Sequence, residues 1–442
     1  MRMTRRRLLL AASSLALAPR LAIGAADEAR EVEEEFAGLY QAPALARGVA
    51  QVGQRVADAM TGGSMRVSVD LLDSERANAV ALGDGRILVT RGLLALVRSE
   101  AELAAVLAHE IGHVMARHAQ RRAARAADLA AAGVPAGQDA AFDQGQELEA
   151  DRIGIDAMAR AGYDPWAAPA FLARLDASHR LEAQQVGRAD LASAAANGAD
   201  HPETADRVAA AQAQAAALPR GEAGEAGWLA AIDGLPWGES PGQVPIRGQS
   251  VIDPVTRFRW DAPPGMLLAR RRRSIMGLGP DDAIVVFDHI AQPGALGARL
   301  YLERVWAKTV GGVRDVETGN LGGFPAAWGR TRLGGVEAWD GLLVMIETAP
   351  DRRDRFVVLT RDGSPATATA RMAATSFRRI GAAEAARVRP RRLAIAIVRP
   401  GDSIASLTGR MKVEAPDAWF RLLNDIGDDA PPPGATVKLI VE

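Results

Sequence analysis

The stretch Ser99-Glu-Ala-Glu-Leu-Ala-Ala-Val-Leu-Ala-His-Glu-Ile-Gly-His-Val-Met-Ala-Arg-His118 decides how the N-terminal half of this chain folds. Ser99 and Glu102 have the spacing of a capping box, which predicts that a helix begins here. Apolar residues then recur at three- and four-residue steps, as on one buried face of a helix: Leu103, Val106, Leu107, Ile111 and Val114. The stretch is therefore predicted to be a helix of the core.

This predicted helix contains His109-Glu110-Ile-Gly-His113, an H-E-x-x-H motif. Residues four apart on a helix project from the same face, so His109 and His113 are expected to hold one metal ion. Glu110 would lie beside that ion and transfer protons. The alternative is a pair of hydrogen-bonded histidines on a core helix. A third ligand favours the metal, because catalytic zinc usually has three protein ligands and a water.

A second helix is predicted to begin near Asp143 and to end at Gly162-Tyr-Asp-Pro165. It places Glu147 and Asp151 on one face, because they are four residues apart, whereas Glu149 points elsewhere. An inward Glu one turn from an inward Asp suits a metal ligand with a supporting carboxylate. By itself, this spacing more often marks a solvated acidic face.

Three strands are predicted before the histidine helix. Residues 66–72 alternate as a strand, and residues 78–82 and 86–90 flank a Gly83-Asp-Gly85 turn as a hairpin. An edge strand at Asn78 and Ala79 would hold an extended peptide by strand addition, which would align a scissile bond.

Together these motifs resemble the HtpX and CAAX-prenyl-protease type of zinc metallopeptidase, a gluzincin family, and more narrowly its soluble exported branch, to which BepA belongs. The resemblance covers about residues 40–215. The segments that carry it are His109-Glu110-x-x-His113, Glu147-x-Glu-Ala-Asp151, Asn78-Ala79, Gly92-Leu-Leu94, and His201-Pro202 followed by Arg207. Two departures are that the membrane helices of HtpX and a 34-residue helical repeat of the BepA type are missing from the pattern.

The resemblance implies one Zn²⁺ ion per chain, held by three side chains, with Glu110 as the general base. The implied ligands are His109, His113 and Glu147. The resemblance also implies that Asp151 and Arg207 form a supporting pair beside the metal.

His201 and Arg207 are further catalytic candidates. In the BepA branch, the histidine of the His-Pro motif can occupy the open position of the zinc and hold the enzyme at rest, and His201 matches that position. His201 or Arg207 would otherwise donate to the developing oxyanion. An ordinary residue preceding Pro202 at a helix N-terminus is the remaining interpretation of His201.

The remaining histidines are predicted to have no role at the metal. His118 lies five residues beyond His113, off the ligand face, and is expected to be exposed. His179 and His289 have no partner motif and are expected to lie on the surface or in the core with their hydrogen bonds satisfied.

Composition excludes several other classes of protein. The 442 residues suffice for two or three domains, and a net charge of −1 offers no field that would attract nucleic acid or an acidic membrane. The chain lacks cysteine, which excludes disulfides, thiolate ligands and a catalytic thiol.

Residues 1–26 are predicted to be a signal peptide of the twin-arginine type. A basic segment, Thr4-Arg-Arg-Arg7, precedes the apolar residues 8–18, which are too few to span a bilayer, and small residues follow at 24–26. A disordered basic tail is the alternative. Later segments lack 18 uninterrupted apolar residues, so a protein without a transmembrane helix, periplasmic or otherwise extracytoplasmic, is expected.

The C-terminal half is predicted to contain two more modules. A linker over 216–245 leads to an α+β module with an antiparallel sheet over 246–385, whose role the sequence does not indicate. Its tryptophans are expected in the core, and the basic run Arg270–Arg273 is expected to be a solvated turn rather than a contact with an anionic glycan or lipid. The pattern of residues 390–442 predicts a strand, two short helices and a strand. This order resembles a LysM module, which often binds N-acetylglucosamine polymers, and a structural cap or a docking surface is the alternative role.

The sequence thus predicts an α+β multidomain protein. A mainly helical zincin-type metallopeptidase domain with a small β-sheet (27–215) is followed by the α+β module and a small LysM-like module. The predicted function is an exported zinc endopeptidase that hydrolyses polypeptides, in particular misfolded or misassembled envelope proteins, with peptidoglycan or another envelope glycan as a second partner. The alternative is a catalytically latent chaperone or cell-wall-binding adaptor on the same fold.

Overall fold

A computed structural model of the chain describes residues 32–442, except 34–35, 37, 83–84, 134–139, 186–204, 272–273, 292–295 and 334–338. The predicted signal peptide and His201 therefore lie outside the described residues. The described part mixes helices and sheets in more than one domain, as predicted. The helices are α1 Pro43–Thr61, α2 Arg91–Leu96, α3 Glu100–Met115, α4 His118–Ala131, α5 Ala140–Arg160, α6 Ala167–Gln185, α7 Ala205–Ala216, α8 Glu225–Ile232, α9 Ala298–Arg304, α10 Ala366–Thr375, α11 Ala382–Ala385, α12 Ile404–Thr408 and α13 Pro416–Asn424. The strands are β1 Ser68–Leu72, β2 Ala79–Ala81, β3 Arg86–Thr90, β4 Pro236–Trp237, β5 Ile246–Arg247, β6 Ser250–Asp253, β7 Phe258–Asp261, β8 Leu267–Arg270, β9 Ser274–Leu278, β10 Ile284–Ala291, β11 Arg314–Leu321, β12 Phe324–Leu333, β13 Trp339–Ala349, β14 Arg352–Arg361, β15 Arg378–Arg379, β16 Arg391–Ile397 and β17 Thr436–Val441.

Helix α3 is the centre of the N-terminal domain. It packs against α1, α5, α6 and β2. Its predicted apolar face is buried at Leu103, Val106, Leu107 and Ile111, and half-buried at Val114. Ser99 caps its first turn by accepting the amide of Glu102 at 3.2 Å. The Glu102 carboxylate accepts the amide of Arg98 at 2.8 Å, one residue before the cap, and also binds the buried Arg174. The predicted capping residue is therefore confirmed, although the Glu102 side chain reaches one residue further than a capping box requires.

Helices α3 and α5 approach closely because two glycines lie at their crossing. A Cβ atom on Gly112 would lie 3.0 Å from the carbonyl oxygen of Ala150, and one on Gly154 would lie 3.0 Å from the backbone nitrogen of His109. Contacts this short are tighter than a side chain accepts without movement of the neighbour. The two helix backbones are thus near enough for side chains of α5 to reach the histidines of α3.

A three-stranded sheet with the order β1-β3-β2 precedes α3. Strands β2 and β3 are antiparallel, which confirms the predicted hairpin, and β1 runs parallel to β3. Strand β2 is at the edge of this sheet, beside α3.

The segment predicted as a linker contains helix α8, which packs on the core of the N-terminal domain. Trp228 is buried there and its Nε1 donates a hydrogen bond to the carbonyl of Val97 at 2.8 Å. The C-terminal module joins the same core through buried residues that include Phe420 and Leu439. Lys438 extends from β17 into the end of α2, where its Nζ donates to the carbonyls of residues 95 and 97 at 2.7 and 2.6 Å. Helix α8 and the C-terminal module therefore belong to the same hydrophobic core as the N-terminal domain.

The α+β module is built on an antiparallel seven-stranded sheet with the order β11-β12-β13-β14-β10-β9-β8. Trp260, Trp306 and Trp339 are buried in it, as predicted, and Trp328 is half-buried. Arg270 and Arg271 contradict the predicted solvated turn, because both are buried. Burial of Arg270 is compatible with its charge since its Nε lies 3.4 Å from the carboxylate of Glu75, in the loop before β2.

The C-terminal segment has the predicted order of a strand, two helices and a strand. Strands β16 and β17 pair in antiparallel register. Asn424 at the end of α13 joins this helix to β17, because it accepts the amide of Lys438 and donates to the carbonyl of the same residue. Its likeness to a LysM module stays a prediction. The helices that the structure describes are too short or too polar to cross a membrane.

Candidate metal centre

Three side chains from α3 and α5 converge in the N-terminal domain. The Nε2 atoms of His109 and His113 are 3.0 Å apart, as expected for residues one turn apart on α3. Glu147 of α5 faces both, with Oε2 3.3 Å from His109 Nε2 and Oε1 3.4 Å from His113 Nε2. The spacing in the sequence therefore predicted this convergence correctly.

The chemistry of this donor set fits zinc. Nitrogen and oxygen ligands lie 2.0–2.2 Å from a tetrahedral Zn²⁺ ion, so ligand atoms are about 3.3 Å from one another. The three separations of 3.0–3.4 Å match that requirement. Two imidazole nitrogens and a carboxylate, all close together and largely buried, also need a cation or proton between them. His109, His113 and Glu147 would hold the metal and leave a fourth position for water.

His109 is flanked by acidic groups that favour its charged form. Burial alone would lower the pKa of His109, but Asp151 and Glu147 outweigh burial and raise it to about 10. Burial would raise the pKa of Asp151, but His109 and Arg207 hold it well below its usual range. The acidic groups around His109 therefore favour a positive charge there, either a proton on the ring or a bound cation.

Asp151 and Arg207 support the histidine side of the centre. His109 Nδ1 lies 2.7 Å from Asp151 Oδ1, and Arg207 binds both oxygens of Asp151, with Nε at 2.7 Å and a terminal nitrogen at 2.8 Å. Another terminal nitrogen of Arg207 is 3.2 Å from Glu147 Oε2. Arg207 thus contacts the predicted supporting carboxylate and one predicted ligand, while its own side chain is buried.

Glu110 is buried beside the ligands and touches the edge strand. Its Oε2 accepts the backbone amide of Ala81 at 3.0 Å. Asn78 and Ala79, which are predicted to align the substrate, lie just before Ala81 in the chain. Asn78 Oδ1 accepts the amide of Ala79 at 2.9 Å. The Glu110 carboxylate and the edge strand are therefore in contact.

His118 is buried rather than exposed, so the prediction for it is wrong. Its Nδ1 lies 2.7 Å from His113 Nδ1, and its Nε2 lies 3.2 Å from Glu149 Oε2. Burial lowers the pKa of His118. The prediction failed because it extended α3 past its end: Met115 is the last helical residue, and Arg117 has φ of 55°, which turns the chain back. The end of α3 before Arg117 places His118 behind His113. The one signal in the sequence was a further histidine five residues after His113.

A cavity with a volume of about 80 Å³ opens next to His109 and Glu110. Its wall is mostly apolar and comes from β2, α3, α5 and α6: Ala79, Val106, Ile155, Phe171, Leu172 and Leu175. His179, predicted on the surface or in the core, is half-buried and lines this cavity.

Comparison with known proteins agrees with this geometry. Residues 43–144 match the model of peptidase family M48. The β-barrel assembly-enhancing protease of Yersinia pestis is 33% identical over 132 residues, which cover 24% of this chain and 27% of that protein. The Escherichia coli K12 protein of the same name is 31% identical over 166 residues, covering 31% of this chain and 34% of that protein.

Mitochondrial metalloendopeptidase OMA1 of Arabidopsis thaliana is 34% identical over 113 residues, covering 22% of this chain and 23% of that protein. The chain thus spans about a third or less of the length of these relatives. Among solved structures, PsbP from Synechocystis sp. PCC 6803 has a TM-score of 0.26 and 16% identity over 32% of this chain and 97% of that one, a likeness too low to support an argument.

Proposed function

We propose that this chain, which carries an M48 peptidase domain homologous to the β-barrel assembly-enhancing proteases, is a zinc metalloendopeptidase of the cell envelope. The observation that carries the proposal is the convergence of His109, His113 and Glu147, with Glu110 between this ligand set and an edge strand. Polypeptides are its proposed substrates, in particular misfolded or misassembled envelope proteins. Export through residues 1–26 is part of the same proposal.

Zinc held by the three ligands would lower the pKa of a coordinated water to about 7 and polarise a peptide carbonyl. Glu110 is the residue that receives the proton, because its buried carboxylate adjoins the ligands and can accept only. It then passes the proton to the leaving amine. The Ala81 amide holds the Glu110 carboxylate at its position in this structure.

Strand β2 is proposed to align the substrate. The carbonyl of Asn78 and the amide of Leu82 bond to β3, so the backbone groups of Ala79 and Ala81 face the opposite edge by the alternation of an antiparallel pair. The amides of these two residues donate to Asn78 Oδ1 and Glu110 Oε2, so their carbonyls are the groups proposed to accept from an added peptide. An extended peptide added there would pass Glu110 and the ligands. The apolar cavity beside Glu110 would receive an apolar side chain of that peptide.

Arg207 is proposed to hold the ligands in place, since its guanidinium binds Asp151 and lies against Glu147. A donor role toward the oxyanion would require a rearrangement of those contacts. For His201, both proposed roles stay open: activity of His201→Ala that is preserved or raised indicates an inhibitory ligand, whereas its loss indicates a donor. Glycan binding by residues 390–442 is likewise a proposal.

The proposed activity is tested by cleavage of casein by the purified chain and by Glu110→Gln. We expect the wild type to cut casein and to contain one zinc per chain, and Glu110→Gln to keep zinc and fold while cleavage falls by at least about 10²-fold. Glu317→Gln, at an exposed glutamate of β11, is the matched control and should cut as the wild type does.

Equal cleavage by Glu110→Gln would contradict the assignment of the base. A wild type that binds zinc but cuts neither casein nor an unfolded envelope protein would favour a latent chaperone or adaptor.

A further inference from the structure

We propose that His118 is a positioning residue that, together with Glu149, fixes the ring orientation and the tautomer of His113. The inference rests on the proposed function only in requiring that the centre binds zinc. It assigns His118 and Glu149 a role in metal affinity.

The contacts form one continuous path away from the ligand. His113 Nδ1 and His118 Nδ1 are 2.7 Å apart, and His118 Nε2 is 3.2 Å from Glu149 Oε2. Arg121 donates to the same oxygen of Glu149 at 2.7 Å. The His118 ring is fully buried, whereas Glu149 and Arg121 lie at the surface end of the path.

The hydrogen-bonding capacity of each group determines where the protons lie. A carboxylate only accepts, so Glu149 requires a proton on His118 Nε2. A neutral His118 then has a bare Nδ1, which must accept from His113 Nδ1. His113 consequently keeps its proton on Nδ1 and directs the lone pair of Nε2 toward the other ligands, as a metal-binding imidazole must.

The opposite arrangement would block the metal. If His118 donated from Nδ1, His113 Nδ1 would have to accept, and the His113 proton would move to Nε2, 3.0 Å from His109 Nε2. Glu149 therefore acts on the ligand through His118, because it selects which nitrogen of His118 carries the proton.

The two histidine ligands have separate supports. His109 is held by Asp151 and Arg207, and His113 is held by His118 and Glu149. Each support contains a carboxylate of α5 bound by an arginine. The turn at Arg117, where the chain leaves α3, is what brings His118 behind His113.

The test measures the zinc dissociation constant by competition with a chromophoric chelator. His118→Phe keeps the ring volume but removes the acceptor, and we expect zinc affinity to fall about 10- to 100-fold. His118→Asn places an amide oxygen where Nδ1 lies, and affinity should return to within about threefold of the wild type. His289→Phe, which removes an exposed histidine elsewhere, is the matched control and should bind as the wild type does.

Glu149→Ala tests the far end of the path without a change in the core, because Glu149 is partly exposed. We expect zinc affinity to fall about threefold to tenfold. The visible absorption spectrum of the cobalt-substituted His118→Phe chain should also differ from that of the wild type, since the angle of one imidazole changes. Circular dichroism of the zinc-free variants verifies that each is folded.

Zinc affinity of His118→Phe or Glu149→Ala equal to that of the wild type would overturn the proposal. Equally weak binding by His118→Asn and His118→Phe would also overturn it, because the acceptor would then be irrelevant. A wild type that binds no zinc would refute the proposed function instead, so the two failures are distinguishable.

Discussion

His109 couples metal binding to the release of a proton. Burial opposes its charge, but Asp151 and Glu147 raise its pKa to about 10, so without metal the ring is charged at neutral pH. Zinc needs the neutral imidazole. We therefore expect zinc binding at pH 7 to release about one proton from His109, and affinity to rise about tenfold per pH unit below pH 10.

Calorimetry of zinc binding in two buffers of different ionisation enthalpy measures this release. Asp151→Asn removes the main cause of the raised pKa and should release a smaller fraction of a proton. In the zinc-free chain, the raised pKa of His109 stabilises the fold fully below pH 6.5, and this contribution is lost as pH rises through about 10. Binding enthalpies that do not depend on the buffer would contradict the account.

Single residues were predictable from the sequence where one helix sets their geometry. His109 and His113 share a face of α3, so their convergence followed from helix periodicity. The position of Glu147 depends on how α5 packs against α3, which periodicity does not reveal. The resemblance of the segment Glu147-x-Glu-Ala-Asp151 to the zinc metallopeptidases predicted it as the third ligand. His118 was missed because its position depends on the positive φ of Arg117, which periodicity does not reveal.

The crossing of α3 and α5 sets the distance between the ligands, and one helix contains a matched pair of glycines that tests it. A methyl group at Gly154 would lie 3.0 Å from the His109 nitrogen, whereas one at Gly145 would meet no atom within 4 Å. Gly145→Ala should raise the free energy of unfolding by about 0.5–1 kcal/mol, because alanine loses less backbone entropy. Gly154→Ala should not raise the free energy of unfolding, because α5 must move away from α3 to admit the methyl group. The same movement should weaken zinc binding.

Thermal unfolding of the two variants, together with zinc competition, measures both effects. Equal stability and equal zinc affinity of Gly145→Ala and Gly154→Ala would show that the close approach of the helices is not needed.

At the level of elements, alternation and turn residues predicted the strands well, including the β2–β3 hairpin and the antiparallel strands β10 and β14. Composition predicted less well. The Gly and Pro content of residues 216–245 predicts a linker, and the structure places helix α8 with the buried Trp228 within them. The basic run at Arg270 predicts a solvated turn, but Arg270 is buried and pairs with Glu75, which is distant in sequence. Local composition does not report such long-range contacts.

At the scale of the whole molecule, Lys438 joins the C-terminal module to the N-terminal domain by hydrogen bonds. Its buried ammonium donates to backbone carbonyls at the end of α2, which leads into α3. Lys438→Met keeps the aliphatic volume but leaves those carbonyls with fewer donors. We expect the free energy of unfolding to fall by about 1–3 kcal/mol. Lys412→Met, the same change at an exposed lysine of that module, should have little effect.

The stability difference between wild type and Lys438→Met should also depend on pH. Burial lowers the pKa of Lys438 well below 10.5, so above the folded-state pKa the unfolded chain binds more protons than the folded one. The wild type therefore gains stability as pH rises toward 10.5, and the variant lacks this gain. Chemical denaturation at several pH values measures it, and parallel pH profiles would contradict the buried position of Lys438.

The shared core of the C-terminal module and the peptidase domain was beyond prediction from the sequence. The strand-helix-helix-strand pattern of residues 391–441 indicates a unit by itself, and a lysine within an apolar strand gives no sign of its partner. The contacts of Lys438 join residues hundreds of positions apart, which local patterns do not encode.

The proposed activity requires a zinc ion among His109, His113 and Glu147. Crystals of the purified chain grown with zinc, measured on either side of the zinc absorption edge, would show by anomalous scattering where zinc lies. We predict one zinc per chain, about 2.0–2.2 Å from His109 Nε2, His113 Nε2 and a Glu147 oxygen. An anomalous map without a peak among these three side chains, or with zinc bound only elsewhere, would contradict it.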